Sequence, residues 1–245
     1  MPVAGQCHSF GNSLLNRRGF LASSAALLAA ATSGLGRAAM AGVPSLGNAP
    51  ELGERSGSAV FGSTEVASRS FRVLPQWSRV LGQMRLDGPR LERCGLDLKD
   101  CDKSATAAWN RVIAEAKHLD RAQQVNSVNS FFNRWPYKLD QDLYGVSEYW
   151  ASPLEFLRRS GDCEDYSIAK FFALRQLGIG NDQLRVVILF DRIRNIGHAV
   201  LAVYEGPEIL ILDSLSDAVL PHWRYKHYQP QYSMNETTRW AHLLA

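Results

Sequence analysis

Apolar residues recur at helical spacing through the first half of the chain and at strand spacing through the second. Residues 74–84, built around Trp77, Val80 and Leu81, read as a short helix. Residues 105–123 read as a longer one, with Trp109, Val112, Ile113, Ala116 and Leu119 on one stripe. Another piece, 125–133, carries Val128, Phe131 and Phe132 and is broken by Trp135-Pro136, because the residue before a proline is pushed out of helical geometry. Pro153 opens a short helix to residue 159. The most telling helix precedes Gly178, with Ile168, Phe171, Phe172 and Leu174 toward its buried side. Gly161 lets the chain turn, Asp162 suits the N-cap, and Glu164 and Asp165 fall in the first turn, where carboxylates complement the dipole. From Leu184 the period changes. Residues 184–190, 198–204 and 208–213 read as strands joined by short links, an antiparallel meander. The class is α+β: a helical N-terminal part packed on an antiparallel sheet.

The last two of these strands can be given a register. If Glu205-Gly206 is a two-residue turn, Tyr204 faces Pro207 and His198 faces Asp213. Directly opposed residues share one face of a sheet. Imidazole and carboxylate would then touch at the open end of the hairpin, and a helix carrying Cys163 packed there would complete a set of three.

The N-terminus changes the picture. Asn16-Arg17-Arg18-Gly19-Phe20-Leu21 precedes a small apolar run, and Ala39-Met40-Ala41 is a cleavage pattern. Residues 1–41 therefore read as an export signal, its paired arginines resembling the twin-arginine type, with a Sec signal as the alternative. The mature chain is expected to begin near Gly42, in the periplasm, without spanning the membrane. Residues 42–70 are rich in Gly, Ser, Ala and Pro and read as a flexible lead-in, and 71–245 as one domain. The formal charge of +3 belongs to the leader, which holds three of the 27 basic residues; without it, basic and acidic residues number 24 each. No basic stripe interleaved with aromatics suggests nucleic acid. Cys7 leaves with the leader, Cys94 and Cys101 can close a small loop in an oxidising compartment, and Cys163 is left as an unpaired thiol.

Cys163 stands at a helix N-terminus, where unpaired N–H groups favour a thiolate. A histidine in reach can take its proton and return it to a leaving group, and an aspartate holds that imidazole in the right tautomer. A helix-start Cys163, a strand-start His198 and a strand-end Asp213 make the ordered set Cys-His-Asp. Trp135 and Trp150 read as core plugs with recognition as the alternative, and residues 221–240, with His222, Trp223, His227 and Trp240, as edge strand and packing.

These segments resemble a known family. Asp140, Tyr149-Trp150, residues 153–157, the run Gly161-Asp162-Cys163-Glu164-Asp165 with its helix, residues 198–201 and residues 212–215 are similar to the bacterial transglutaminase-like cysteine proteinases of the LapG type. The resemblance covers residues 70–245 and implies a papain/transglutaminase-like fold with Cys163, His198 and Asp213 as triad. It implies cleavage of a large surface adhesin near its N-terminus, release of biofilm cells, and restraint by an inner-membrane receptor for cyclic di-GMP. It also implies calcium, with Asp162 and Glu164 matching the family's metal-binding carboxylates and Asp140 a further candidate. A bound Ca²⁺ would neutralise the acids crowded beside Cys163; the alternative is that they only cap the helix. Other transglutaminase-like amide transfer, cell-wall peptide hydrolysis and a non-catalytic calcium-dependent binding module are the competing functions.

Overall fold

The computed structural model of the chain describes residues 59–96 and 105–243. The export leader and the Cys94–Cys101 bridge lie outside what is described. Among the described residues no helix is long and apolar enough to cross a membrane.

The helices come first. Helix α1 (Pro75–Leu96) buries Trp77, Val80 and Leu91 and runs well past the expected 74–84, with Pro89 inside it. The expected 105–123 helix ends sooner, as α2 (Ala105–Ala116), because Asp120 starts a new one, α3 (Arg121–Phe132). There the Asp120 carboxylate accepts from Gln123 N at 2.9 Å and Gln123 Oε1 accepts from Asp120 N at 3.3 Å, a reciprocal capping box. Residues read as irregular hold the short α4 (Asp140–Tyr144), closed by Gly145 at φ +70°. Ser152 and Glu155 cap α5 (Pro153–Arg159) in the same reciprocal way. Helix α6 (Cys163–Gln176) follows, buried from Cys163 to Leu174.

The sheet is larger than the expected meander. It has seven strands in the order β1-β7-β6-β2-β3-β4-β5, antiparallel throughout. The meander supplies β2 (Leu184–Asp191), β3 (Ile196–Glu205) and β4 (Glu208–Asp213). The others are β1 (Thr64–Ser68), β5 (Ser216–Pro221), β6 (Tyr228–Met234) and β7 (Arg239–Leu243). Two expectations are corrected here. The lead-in set at 42–70 ends earlier, since β1 pairs with β7 and Glu65 is ion-paired with Arg185 at 2.6 Å. Its exposed strand has no apolar period to announce it. The stretch 221–240 is not an edge: β6 lies inside the sheet between β7 and β2.

Strands β2 and β3 are buried almost end to end, which explains their continuous apolar runs. Helix α6 packs against both. A second cluster joins Val187, Leu189, Val200, Ala202, Ile209, Ile211 and Tyr228 to Val60 of the N-terminal segment. Trp77 stacks on Phe172 and meets Phe171 edge-on, tying α1 to α6. Trp150 is buried against Trp77, and Trp135 is half-buried with its Nε1 donating to Leu157 O, so both are packing residues.

Candidate active site and metal centre

Gly161 is where the site is built. Lys138 N donates to its carbonyl at 3.0 Å, pinning the Tyr137 segment beside the start of α6. A Cβ on Gly161 would lie 2.0 Å from Asp165 Oδ2, so no side chain fits. Asp165 needs that space because its carboxylate accepts from Asp162 N at 3.2 Å and Ala151 N at 2.6 Å, binding the helix start to the segment before α5. Gly161→Ala is expected to lower the melting temperature and activity together, by roughly 1–3 kcal/mol of stability for overpacking a tight site. Thermal denaturation checks it.

Cys163 is the first residue of α6 and is buried. Its Sγ lies 3.2 Å from Glu164 Oε2. The unpaired thiol expected there is not what is seen. Cys163 is disulfide-bonded, so thiolate chemistry belongs to the reduced form. Its backbone N–H hydrogen-bonds to the Tyr137 hydroxyl. Burial, then the charges of Asp162 and Glu164, keep that phenol protonated far above its ordinary range, so Tyr137 has a proton to offer at the same spot.

His198 and Asp213 meet as expected, by a different register. The turn is Gly206-Pro207, with Glu205 opposite Glu208 and Tyr204 opposite Ile209. Pro207 has no N–H to close a hairpin from a flanking position, so it sits inside the turn. Gly206 takes φ +57°, as the first position of a II′ turn requires. A slip of two residues preserves the face. Asp213 moves from directly opposite His198 to a diagonal position, and the imidazole Nε2 still lies 2.9 Å from Asp213 Oδ1.

Asp213 is held on every side. Its Oδ1 also accepts from Leu215 N at 3.0 Å, and its Oδ2 accepts from Tyr228 OH at 2.6 Å. Asn133 on α3 donates to the Asp213 carbonyl at 3.0 Å. Burial opposes ionisation, but the charge and hydrogen bond of His198, the Tyr228 hydroxyl and the Leu215 N–H outweigh it and hold the carboxyl well below the usual range. With Nε2–H donated to Asp213, Nδ1 is the nitrogen that can exchange a proton with a thiol. Helix α6, which carries Cys163, packs against β3, which carries His198.

Three carboxylates converge beside Cys163. Asp140, Asp162 and Glu164 each bring an oxygen within 4.8 Å of the others, and all three are buried. Burial, then the Asp162 charge, pushes Asp140 up to about 7. The same two causes raise Glu164 well above its ordinary value. Helix capping accounts for only part of the cluster: the N-cap box of α6 engages Asp162 and Asp165, but neither Asp140 nor Glu164. Asp140 Oδ2 accepts from Tyr149 N, whereas Oδ1 is buried without a hydrogen-bond partner. Buried carboxylate oxygens brought this close together, with Asp140 Oδ1 lacking a hydrogen-bond partner, fit a hard cation of the Ca²⁺ kind.

One buried amine stands apart. Lys170, on α6, is fully buried and its Nζ has no hydrogen-bond partner. Desolvation lowers it from 10.5 to about 7, against the pull of Asp213 and Asp217. Between those values the unfolded chain binds the proton and the folded one does not, so this residue makes stability rise with pH. Lys170→Met is expected to raise the melting temperature by several degrees near pH 6. That gain shrinks toward pH 10, and melting curves at both pH values check it.

Sequence reasoning missed Tyr228, Asn133 and Tyr137, and read Asp165 as a first-turn acid without its bonds to Asp162 N and Ala151 N. Only Asp165 left a local signal, an acid at the third helical position after Asp162.

An α+β fold with a helix-start cysteine and a strand-borne His–Asp pair defines the transglutaminase-like class of cysteine proteinases. The chain belongs to the bacterial transglutaminase-like cysteine proteinases, whose family pattern it matches over residues 91–245. Among solved structures it resembles Legionella pneumophila LapG, with 33% identity and a TM-score of 0.55, over 62% of this chain and 87% of that one. It resembles calcium-bound Legionella pneumophila LapG at 32% identity and a TM-score of 0.54, over 62% and 86% of the two chains. The EGTA-treated form of that protein gives 33% and 0.55, over 62% and 84%. No curated protein matches the chain.

Proposed function

We propose that the mature chain is a calcium-dependent periplasmic cysteine endopeptidase that cuts the N-terminal region of a large surface adhesin and so controls biofilm detachment. The observation that carries the catalytic part is the buried 2.9 Å His198–Asp213 contact on the strand pair against which the helix of Cys163 packs. The reduced Cys163 thiol gives its proton to His198 Nδ1, and the thiolate attacks the scissile carbonyl carbon. Asp213 stabilises the imidazolium so formed. His198 then returns the proton to the leaving amine as the C–N bond breaks, leaving an acyl-enzyme. Water, deprotonated by His198, attacks that thioester, and Cys163 leaves as thiolate. The Cys163 N–H and the Tyr137 hydroxyl are the candidates to face the developing oxyanion.

Asp140, Asp162 and Glu164 would hold Ca²⁺. When bound, the ion supplies the counter-charge that lets these acids stay ionised beside a thiolate and fixes the start of α6. The calcium-bound form of the Legionella relative supports this reading. The leader supports export, and the family resemblance supports restraint of the exported protease by an inner-membrane receptor for cyclic di-GMP.

The test is incubation of the mature protein with an N-terminal adhesin fragment, with and without calcium, beside Cys163→Ala. A single calcium-dependent cut absent from the variant is expected. Incorporation of a labelled amine in place of hydrolysis would move the assignment to amide transfer, and no loss of any phenotype in Cys163→Ala would move it to a binding module.

A further inference from the structure

Asp213 is backed by a chain of rings that starts in the N-terminal segment. The Tyr228 hydroxyl donates to Asp213 Oδ2 at 2.6 Å, and its ring meets that of His198 edge-on at 5.7 Å. Tyr228 is wedged in turn, stacked on Tyr225 at 5.1 Å and met edge-on by Phe61 at 5.8 Å. Phe61 sits in the short 3-10 turn Val60–Gly62 at φ 54° and ψ 25°, the left-handed region that a phenylalanine rarely adopts. Three contacts hold it there. Phe61 N donates to His222 Nδ1 at 2.8 Å, Val60 N donates to Glu65 Oε1 at 3.3 Å, and Glu65 Oε2 accepts from Arg185 at 2.6 Å. Strain of this sort persists only where the surroundings over-determine it. Residues 59–68 also fall outside the 91–245 range matched to the family, so the family pattern does not account for them.

We propose that Tyr228 and Phe61 are positioning residues for the catalytic pair: Tyr228 orients the Asp213 carboxylate toward His198, and Phe61, delivered by the N-terminal segment, wedges Tyr228 in place. This rests on Cys163, His198 and Asp213 acting together. Without the Tyr228 hydroxyl, Oδ2 loses its donor and the carboxylate is held through Oδ1 alone, by Nε2 and Leu215 N, which leaves its tilt toward His198 less fixed. Without the Phe61 ring, Tyr228 can tilt away from Oδ2.

The experiment follows alkylation of reduced, calcium-loaded protein by iodoacetamide across pH, reading Cys163 by mass. It compares the wild type with Tyr228→Phe, Phe61→Gly and His198→Ala. At about pH 6, below the ordinary thiol value of about 8.5, alkylation needs the thiolate that His198 supports. There Tyr228→Phe is expected to be slower by roughly tenfold, the worth of one hydrogen bond to a charged group. Phe61→Gly is expected to be slower by roughly threefold, the scale of one aromatic contact. At high pH, where a thiol ionises unaided, both should match the wild type. Glycine accepts the left-handed conformation without strain, which offsets part of the packing lost with the ring, and rates are read well below the measured melting temperature of Phe61→Gly, so that a slower rate has no unfolding behind it. Wild-type rates in both variants at low pH, or equal losses at every pH, overturn the proposal while the triad stands. A wild-type rate in His198→Ala overturns the triad reading itself.

Discussion

Cys163→Ala is expected to abolish peptide cleavage, and Asp213→Asn to lower kcat by on the order of 10³–10⁴-fold with KM little changed. The reasons differ. Alanine removes the sulfur that forms the acyl-enzyme, and nothing else in the site can replace it. Asparagine keeps the shape of Asp213 but removes the charge that stabilises the imidazolium and can reverse the hydrogen bond that His198 Nε2 makes at 2.9 Å, selecting the wrong tautomer. Because Tyr228 OH already donates to Oδ2 at 2.6 Å, an asparagine must either present its NH₂ to a donor or turn it toward His198. The first choice sets two donors against each other, and the second costs the productive tautomer. Steady-state kinetics on a cleaved adhesin fragment separate the two effects, since positioning loss falls on kcat while substrate binding stays.

Calcium removal is expected to have the second largest effect. EGTA should bring cleavage to background, and added Ca²⁺ should restore it. Asp140, Asp162 and Glu164 lie within 4.8 Å of one another, so without a counter-ion they share protons or repel, and the charge nearest Cys163 opposes its thiolate. Calcium about 100-fold above its dissociation constant adds roughly 2.7 kcal/mol to stability, a rise of about 5–10 °C in melting temperature for a chain of this size. Asp162→Asn and Asp140→Asn should lose both the melting shift and calcium-dependent cleavage. Equal melting curves with calcium and with EGTA, together with full activity of the stripped protein, would remove the metal from the account.

Much of the site was legible because its residues obey local rules. The Gly161-Asp162 turn, the acids after it and the apolar stripe to Leu174 specify a helix start, and Cys163 falls at that start wherever the helix packs. Proline chemistry would have given the hairpin register, since Pro207 cannot donate the hydrogen bond that the assumed turn demanded. The error was harmless because it moved the pairing by two residues, and a strand repeats its face every two. What stayed hidden depends on contacts distant in sequence. Tyr228 reaches Asp213 only because β6 returns to the middle of the sheet beside β2. Strand β1 has an exposed, aperiodic sequence and is held by backbone pairing to β7 and by the Glu65–Arg185 ion pair. Asp162 reads as a cap, and the folded geometry is what brings its carboxylate within reach of Asp140 and Glu164 as well.

The central claim is that sulfur, imidazole and carboxylate behave as one unit. The most direct measurement is the pH at which the Cys163 thiol ionises, read from thiolate absorbance in reduced, calcium-loaded protein and in its His198→Ala variant. The account predicts ionisation well below the ordinary value of about 8.5 in the wild type and a return to that value or above it in the variant. The same ionisation pH in both proteins would contradict it.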